Sequence, residues 1–380
     1  MKINSFLGIR NLAQSRRQPK GALQLAVNLD VDDEGGLIIR SGYSLTMAGT
    51  NIVSAYAMRD KSCAYIIDNG SLYRVVEASG GLSKQLLGTV PNVDTYFCEV
   101  GNKLFLSTGY IVDNTSLLSW VVNPPFIPIV TIGQGNLLAG NYRVALTTVT
   151  ADGRESGSSN TYSFSVPGGS GISIANAAGC NVYITPENGD VMYFAGYAVS
   201  QISDVSGLNY PMPQALWNGY SLPSNVGPIA YYDSCLYFSK YDTVKNISVI
   251  AWSSPFFPHV FQLSKDRFTL PGQVRMMEVQ DGVLIIGTNK EIYAWDGTSL
   301  VKLALYGVPF GKVATHTREN KLFFQSVKGV CTIPFQNLTE EKLSMPYGNY
   351  CSTSLLNING GEIFVTFTDG SGTTEDSTIF

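Results

Sequence analysis

A β-hairpin unit recurs along this chain at near-equal spacing. In each copy an apolar strand ends at a short polar turn, and a second apolar strand begins directly after it, as in hairpins. Successive second strands start 40, 132, 48, 38 and 41 residues apart, and a four-stranded propeller blade takes about 40 residues. The repeat therefore predicts an all-β fold with about six propeller blades; an irregular array of β-sandwiches is the alternative. The first apolar residues after the six turns are Ala64, Leu104, Leu236, Leu284, Leu322 and Ile363.

The spacing of 132 residues exceeds the others by about 90 residues, which predicts an insertion between the second and third copies. Pro124, Pro125 and Pro128 mark its start, because proline cannot donate to a strand ladder. About seven short strand-like segments follow, which is typical of a small β-sandwich. The predicted organisation is an N-terminal arm with a blade-closing strand (1–50), blades 1 and 2 (51–122), the inserted sandwich (123–203) and blades 3 to 6 (204–380).

Ring closure needs a strand from the other end of the chain. The last copy stops short of four strands, and the segment 37–40 is strand-like. We therefore expect a strand near Leu37 to pair with one near Phe364 and to complete the last blade.

Composition excludes several classes of protein. Charged residues make up 14% of the chain, while glycine accounts for 38 residues and Tyr plus Phe for 39, so strand and turn residues dominate. This composition argues against a coiled coil, a helical bundle and a disordered chain. The formal net charge of −4 argues against a general phosphate-backbone binder, and two histidines argue against His-based catalysis.

Few residues form patterns that carry chemistry. Asp30, Asp32 and Glu34 resemble the start of a calcium loop, but Ser41 stands where an EF-hand needs Glu, so a solvated acidic turn is the favoured interpretation and ion binding stays open. Carboxylate pairs for glycoside hydrolysis are not evident on the strands. His259 and His316 are interpreted as packed or surface histidines. We predict no enzyme, no catalytic residue, no cofactor and no metal site.

The six cysteines are widely spaced and form no CxxC motif. We interpret them as free, buried thiols of a protein folded in a reducing cytosol, with a zinc or disulfide framework as the alternative. Residues 1–20 lack the apolar core of a secretory signal, and the 29 uncharged residues between Asp113 and Arg143 are too polar for a membrane helix.

A basic cluster lies near the N-terminus. Its members are Arg10, Arg16, Arg17 and Lys20. They are interpreted either as an exposed flexible arm or as an arm that docks on an acidic partner surface.

Two resemblances to known families add to this interpretation. The strand Gly140-Asn-Tyr-Arg-Val144 and the later Asp152-Gly-Arg-Glu-Ser156 resemble fibronectin type III modules of phage and bacterial surface proteins. The segments 6–11 (FLGIRN) and 26–43 (AVNLDVDDEGGLIIRSGY) resemble the start of the nozzle, or tail tubular B, proteins of short-tailed bacteriophages, which include the packaged-DNA stabilisation proteins.

The nozzle resemblance implies a structural virion protein of the tail, assembled in the host cytoplasm. It implies a homohexameric ring below the portal and adaptor ring, with tail fibres or a tail needle below, and no membrane insertion. Double-stranded DNA would pass through the lumen without sequence-specific binding. The negative net charge of the chain agrees with this role, because a conduit for a polyanion must not bind it tightly. A receptor- or glycan-binding propeller is the alternative, although Trp120, Trp217, Trp252 and Trp295 are not in register with the repeat. A propeller hydrolase is a further alternative.

Overall fold

The computed structural model describes most of the chain between residues 47 and 332 and part of the C-terminal region. Full description covers 47–79, 81–217, 219–224, 226–317, 319–332, 350–355 and 364–368, and the backbone alone is described for 29–31, 37–39, 336–337, 356–358 and 361–363. The described residues form strands and a short 3-10 helix, Gln214–Leu216. None of them forms a helix long and apolar enough to cross a membrane.

Four sheets have one simple pattern, four antiparallel strands in which each strand pairs with the next along the chain. We call each of these a blade module. The first two comprise β3 (Ile52–Ala57), β4 (Ala64–Asp68), β5 (Ser71–Ala78), β6 (Gly81–Thr89), and β7 (Phe97–Val100), β8 (Lys103–Leu106), β9 (Tyr110–Asp113), β10 (Ser116–Ser119). The other two comprise β23 (Val274–Gln280), β24 (Val283–Thr288), β25 (Ile292–Trp295), β26 (Leu300–Ala304), and β27 (Ala314–His316), β28 (Leu322–Ser326), β29 (Gly329–Thr332), β30 (Gln336–Asn337).

Two further sheets vary this pattern. One has the order β18-β19-β20-β21, with β22 also paired to β20, and the other is the hairpin of β31 and β32. Their strands are β18 (Ile229–Tyr232), β19 (Cys235–Asp242), β20 (Ile247–Ser254), β21 (Phe257–Phe261), β22 (Arg267–Pro271), β31 (Cys351–Ile358) and β32 (Gly361–Thr368).

The repeat inferred from the sequence corresponds to these sheets. Each of the six aligned apolar residues lies on the second strand of its sheet. Two of the turns before them have two residues with positive φ, Asp233-Ser234 and Asp281-Gly282, which is the backbone of the tight hairpin turns that match strand twist. The predicted all-β fold class of blade-like antiparallel sheets is confirmed.

Closure of these sheets into a ring remains a prediction. In the described part of the chain, β2 (Leu37–Ile39) pairs with β1 (Leu29–Val31), and β32 pairs with β31. The expected pairing of the Leu37 strand with the Phe364 strand is absent from these described strands. Only five residues separate β1 from β2 in the sequence, so their pairing closes a much shorter loop than a pairing across the whole chain.

The insertion is a two-sheet sandwich of seven strands. One sheet has the order β11-β14-β17 and the other β13-β12-β15-β16. Two antiparallel sheets around one core form the small β-sandwich that the sequence predicts. The strands are β11 (Val130–Leu137), β12 (Gly140–Thr148), β13 (Tyr162–Val166), β14 (Ser170–Ile174), β15 (Cys180–Ile184), β16 (Tyr193–Tyr197) and β17 (Gln201–Ile202).

Alternation of side chains builds the sandwich core. Tyr142, Val144 and Leu146 share one face of β12, and all three are at most 1% exposed. They pack with Ile172 and Val182 from the two sheets into one buried apolar cluster. Burial of such side chains stabilises the fold by about 1.5–3 kcal/mol each.

The chain divides into two compact units. Unit 1 comprises Met1–Tyr96, Tyr241–Ser248 and Leu270–Phe380, and unit 2 comprises Phe97–Lys240 and Val249–Thr269. Unit 1 contains the blade modules β3–β6, β23–β26 and β27–β30, and unit 2 contains β7–β10 and the sandwich. Within unit 1, the fully buried Leu322 and Phe324 pack with Ile285 and Ile292 of the preceding module, so neighbouring modules share a core.

Candidate functional site

The residues predicted to form a docking arm have no structural account. Arg10, Arg16, Arg17 and Lys20 lie outside the described residues. The acidic residues Asp32 and Glu34 also lie outside them, as does the Asp30 side chain, so ion binding by these three residues stays open. Among the described residues, no group of three or more His, Cys, Asp or Glu side chains has the geometry to hold a metal ion.

Unit 1 contains a group of polar and charged side chains that lie on β3 and β23 or just before β7, β27 and β31, which are the first strands of five sheets. We call it the first-strand cluster. It contains two carboxyl groups, two cations and three tyrosines, and its members are Ser54, Tyr56, Asp94, Tyr96, Arg275, Glu278, Lys312 and Tyr350.

Asp94 is the carboxyl group of this cluster whose oxygens are hydrogen-bonded to other members. Its Oδ1 accepts a hydrogen bond from the Ser54 hydroxyl at 3.3 Å, and the Tyr350 hydroxyl also bonds to the carboxylate. Burial raises the pKa of Asp94 above its ordinary value, although these hydrogen bonds oppose the shift. Burial and the nearby Asp94 charge also raise the pKa values of Tyr96 and Tyr350.

Arg275 and Lys312 place their cations over aromatic rings. The Arg275 guanidinium carbon lies 3.6 Å from the centroid of the Phe310 ring, and its Nη1 donates to the Val308 carbonyl at 3.0 Å. The Lys312 ammonium lies 5.3 Å from the Tyr56 ring centroid. Burial lowers the pKa of both groups. Cations on aromatic faces gain about 0.5–2 kcal/mol, so both rings stabilise the neighbouring charge.

Unit 2 contains a polar groove of about 480 Å³ beside its blade module. Hydroxyl and amide side chains dominate its lining, and the described lining residues include no charged group. The buried Thr108 Oγ1 has no hydrogen-bond partner among the described residues. Such a lining can exchange hydrogen bonds with a neutral polar ligand. The groove is lined by Ser107, Thr108, Gly109, Tyr110, Ser119, Val121, Asn123, Ser221, Leu222, Pro223 and Ser224.

A buried polar network joins the sandwich to the strands beside it in unit 2. We call it the sandwich junction, formed by Trp120, Arg154, Glu155 and His259. The fully buried Trp120 donates from Nε1 to the Pro258 carbonyl at 2.8 Å. Arg154 donates from Nη2 to the Ser119 carbonyl at 2.7 Å and from Nη1 to the Trp120 carbonyl at 3.1 Å. One arginine thus satisfies two main-chain acceptors at the end of β10.

Glu155 and His259 complete this junction. The Glu155 Oε1 accepts from the Asn181 amide at 2.8 Å and from the Tyr183 hydroxyl at 2.9 Å. His259 Nε2 lies 2.8 Å from the Glu155 carbonyl oxygen, so it carries the proton of the neutral ring and donates it there. His259 is 5% exposed and its Nδ1 has no partner among the described residues. Burial disfavours the imidazolium and lowers the His259 pKa to about 4.

The predictions for histidine and cysteine compare well with this structure. His259 is a packed histidine, as expected, and His316 donates from Nε2 to the Val279 carbonyl at 3.0 Å. All six cysteines are free thiols; five are buried and Cys63 is half-buried. Burial raises the pKa of Cys235 to about 11, so this thiol is a poor nucleophile.

Sequence reasoning missed both the first-strand cluster and the sandwich junction. A signal existed for the junction, since Arg154 and Glu155 belong to the Asp-Gly-Arg-Glu-Ser segment that marks the fibronectin resemblance. For the cluster, the signal is weaker: Arg275 and Glu278 interrupt an otherwise apolar first strand.

Comparisons with known proteins leave the family open. No family model and no curated protein matches the chain. Among solved structures, hydrazine synthase from Kuenenia stuttgartiensis is 10% identical with a TM-score of 0.37, covering 86% of this chain and 99% of that chain. Hsv2 from Kluyveromyces lactis is 10% identical with a TM-score of 0.32, covering 83% and 90%. Dipeptidyl peptidase 4 from Porphyromonas gingivalis is 12% identical with a TM-score of 0.28, covering 80% and 47%. These similarities are too low to support an argument about this chain's fold or function.

Proposed function

We propose that this chain is a structural tail protein of a short-tailed bacteriophage, a subunit of the nozzle ring that retains the viral DNA and conducts it at infection. One observation carries the proposal: a series of blade modules is interrupted once, after the second module, by a fibronectin-like sandwich. The nozzle resemblance of residues 6–11 and 26–43 implies that same layout.

The surface of the described residues supports an assembly role. Several large apolar side chains are strongly exposed, among them Phe126 at 90%, Phe256 at 79% and Leu305 at 79%. Interface cores favour aromatic and apolar side chains and exclude charges, and these residues would be covered in such a core. Each subunit of a closed ring has two neighbours and therefore needs two such surfaces, one for each contact.

The test uses purified phage particles and an antibody raised against the purified chain. We expect labelling at the tail, and a reconstruction of the particle should show six copies around an open channel. Absence of the chain from purified particles would refute the proposal. A second measurement follows duplex DNA binding against salt concentration; a wall that lets DNA slide should show weak affinity with a shallow slope, because few phosphates are neutralised.

A receptor- or glycan-binding tail protein is the second candidate, and the polar groove in unit 2 favours it. Carbohydrates offer neutral hydroxyls to partners such as Ser224 and Asn123, and the Tyr110 ring adds an apolar surface beside them. Binding on a glycan array that is lost in Tyr110→Ala, with an unchanged thermal midpoint, would favour this function. Absence of binding across the array would remove it.

A further inference from the structure

The inserted sandwich packs against β21 through a cluster that is separate from its own core. On β12 and β15, Val144 and Val182 lie in the buried sandwich core. Their chain neighbours Ala145 and Tyr183 lie on the opposite face, because successive side chains of a strand alternate, and they pack with Val260 of β21. Moving the sandwich away from β21 would therefore open the second cluster and leave the sandwich core closed.

The chain that returns from the sandwich changes sides at Pro213. Before this residue, the Met212 amide donates to the Met192 carbonyl, next to β16, at 2.8 Å. After it, the Gln262 side-chain amide, next to β21, donates to the Ala215 carbonyl at 3.1 Å. Residue 213 thus separates one body, which contains the sandwich, from another, which contains β21 and the 3-10 helix.

One loop of the sandwich, between β12 and β13, carries hydrogen bonds across this boundary. Arg154 of this loop bonds to the end of β10. The Ser158 amide donates to the Leu216 carbonyl at 2.7 Å, and the Glu155 carbonyl accepts from His259 at 2.8 Å. A change in the charge of His259 therefore acts where the two bodies meet.

The buried ring of His259 is hydrogen-bonded as a neutral imidazole. Its Nε2 proton is donated to the Glu155 carbonyl, and the buried Nδ1 has no partner among the described residues. A second proton, at Nδ1, would create a buried cation and a buried N–H group without an acceptor. Both are unfavourable in a protein interior.

The charged groups that act on His259 do not compensate a second proton. Arg154 disfavours the imidazolium, whereas the carboxylates of Asp152 and Glu155 favour it. Both carboxylates are already hydrogen-bonded, Asp152 to the Arg154 Nε at 2.6 Å and Glu155 to the Tyr183 hydroxyl at 2.9 Å. Burial has the largest effect, and it lowers the pKa of His259 to about 4.

We propose that protonation of His259 releases the sandwich from β21 as a body, while the sandwich core stays closed. In the released state the imidazolium can donate both of its protons to water. Release breaks the Val260 cluster and the hydrogen bonds of the β12–β13 loop, which is a smaller change than unfolding either body. This acid-sensitive contact goes beyond the proposed tail function and does not rest on it.

The size of the effect follows from the proton affinities of the two states. At pH 4.5 the docked ring, with a pKa of about 4, is about one-quarter protonated, whereas a hydrated histidine with a pKa of about 6.5 is almost fully protonated. The stabilisation of docking is fully present above pH 6.5 and is lost as pH falls toward 4. Between pH 7.5 and 4.5 the equilibrium should shift about 70-fold toward release.

Two buried tyrosines of the sandwich distinguish release from unfolding. Tyr183, 4% exposed, lies in the cluster that release opens, and Tyr142, 1% exposed, lies in the sandwich core. Hydroxyl-radical labelling with a tyrosine peptide as internal reference, read by mass spectrometry, measures the reaction of each. In the wild type, the reaction of Tyr183 through the released state should increase about 70-fold from pH 7.5 to 4.5, and that of Tyr142 should not increase. His259→Gln, which does not titrate, should show no increase at Tyr183.

The other histidine provides the matched control. His316 lies in unit 1, so His316→Gln should leave the increase at Tyr183 unchanged. If His259→Gln fails to fold, proton NMR of the wild type decides. The ring signal that is absent from His316→Gln belongs to His316, which assigns the remaining signal to His259, and His259 must titrate over the same pH range in which Tyr183 becomes reactive.

Several results would overturn the proposal. Equal increases at Tyr183 and Tyr142 would show that acid unfolds the sandwich instead of releasing it. An unchanged reaction of Tyr183, or the same increase in His259→Gln, would remove His259 as the cause. A His259 ring that stays neutral while Tyr183 becomes reactive would do the same. None of these outcomes depends on whether the chain is present in phage particles.

Discussion

His259 makes the stability of unit 2 depend on pH in a defined direction. Its pKa is about 4 in the folded protein, against about 6.5 in an unfolded chain. Between about pH 4 and pH 6.5, His259 is protonated in the unfolded chain but not in the folded protein, so lowering the pH favours unfolding. The stabilisation is fully present above pH 6.5 and is lost as pH falls toward 4. A difference of about 2.5 pKa units corresponds to about 3 kcal/mol, most of it lost by pH 4.5.

His259→Gln provides the comparison. A glutamine Nε2 can still donate to the Glu155 carbonyl, but it does not titrate. Urea unfolding should be followed by tryptophan fluorescence at several values between pH 7.5 and 4.5. Three of the four tryptophans, Trp120, Trp217 and Trp252, lie in unit 2 and report on it. Relative to His259→Gln, the wild type should lose about 2–3 kcal/mol of unfolding free energy across this range.

The comparison cancels the other titrating groups near His259. Arg154 also lowers its pKa, while the carboxylates of Asp152 and Glu155 oppose the shift, and all three are present in both proteins. The same pH dependence in wild type and His259→Gln would refute the reasoning. It would mean that the ring accepts a proton where it lies, with the Nδ1 hydrogen bonded to a partner.

Three further predictions concern the junction, the core and the turns. Arg154→Ala should lower the unfolding free energy by about 1–3 kcal/mol in urea, because the carbonyl of the buried Trp120 and that of the exposed Ser119 lose their charged donor; Arg154→Lys should recover part of it, and a loss under 0.5 kcal/mol would contradict this role. Leu322→Ala should lower the free energy of unfolding by about 2–5 kcal/mol in thermal unfolding, because it removes a buried side chain. Leu86→Ala, at an exposed site, should change the free energy of unfolding of the isolated subunit by no more than about 0.5 kcal/mol. Gly311→Ala should lower the free energy of unfolding in chemical denaturation far more than Gly282→Ala does. Both glycines have positive φ, but only a Cβ on Gly311 would lie 2.1 Å from the Cys351 carbonyl oxygen. Equal effects of the two substitutions would contradict this steric argument.

The sequence predicted the features that depend on local order. Alternation and turn chemistry are properties of a few neighbouring residues, so the hairpin at Asp281-Gly282 and the buried Leu284 after it could be inferred directly. The inserted sandwich was predictable because it interrupts a regular spacing. The pairing of both β21 and β22 with β20 was not predictable, because it depends on how a short connection folds back on one strand.

The polar sites depended on contacts between residues distant in sequence. Trp120 meets Pro258 across 138 positions and Glu155 meets His259 across 104. No local pattern fixes which buried carbonyl a given donor reaches. For the first-strand cluster, Asp94 and Tyr350 come from separate segments that only the folded unit brings together.

The attachment of the sandwich has a mechanical consequence. The chain leaves the blade module near Asn123 and returns near Ser221, and these two side chains are hydrogen-bonded at 3.0 Å. The sandwich junction lies beside this crossing, and Val260 of β21 packs into a core with Tyr183 and Leu216. A pulling force on the sandwich is therefore shared between two backbone crossings, several buried hydrogen bonds and an apolar contact, all loaded together. These contacts hold the sandwich in place within unit 2, so a force applied to it is transmitted to the blade module.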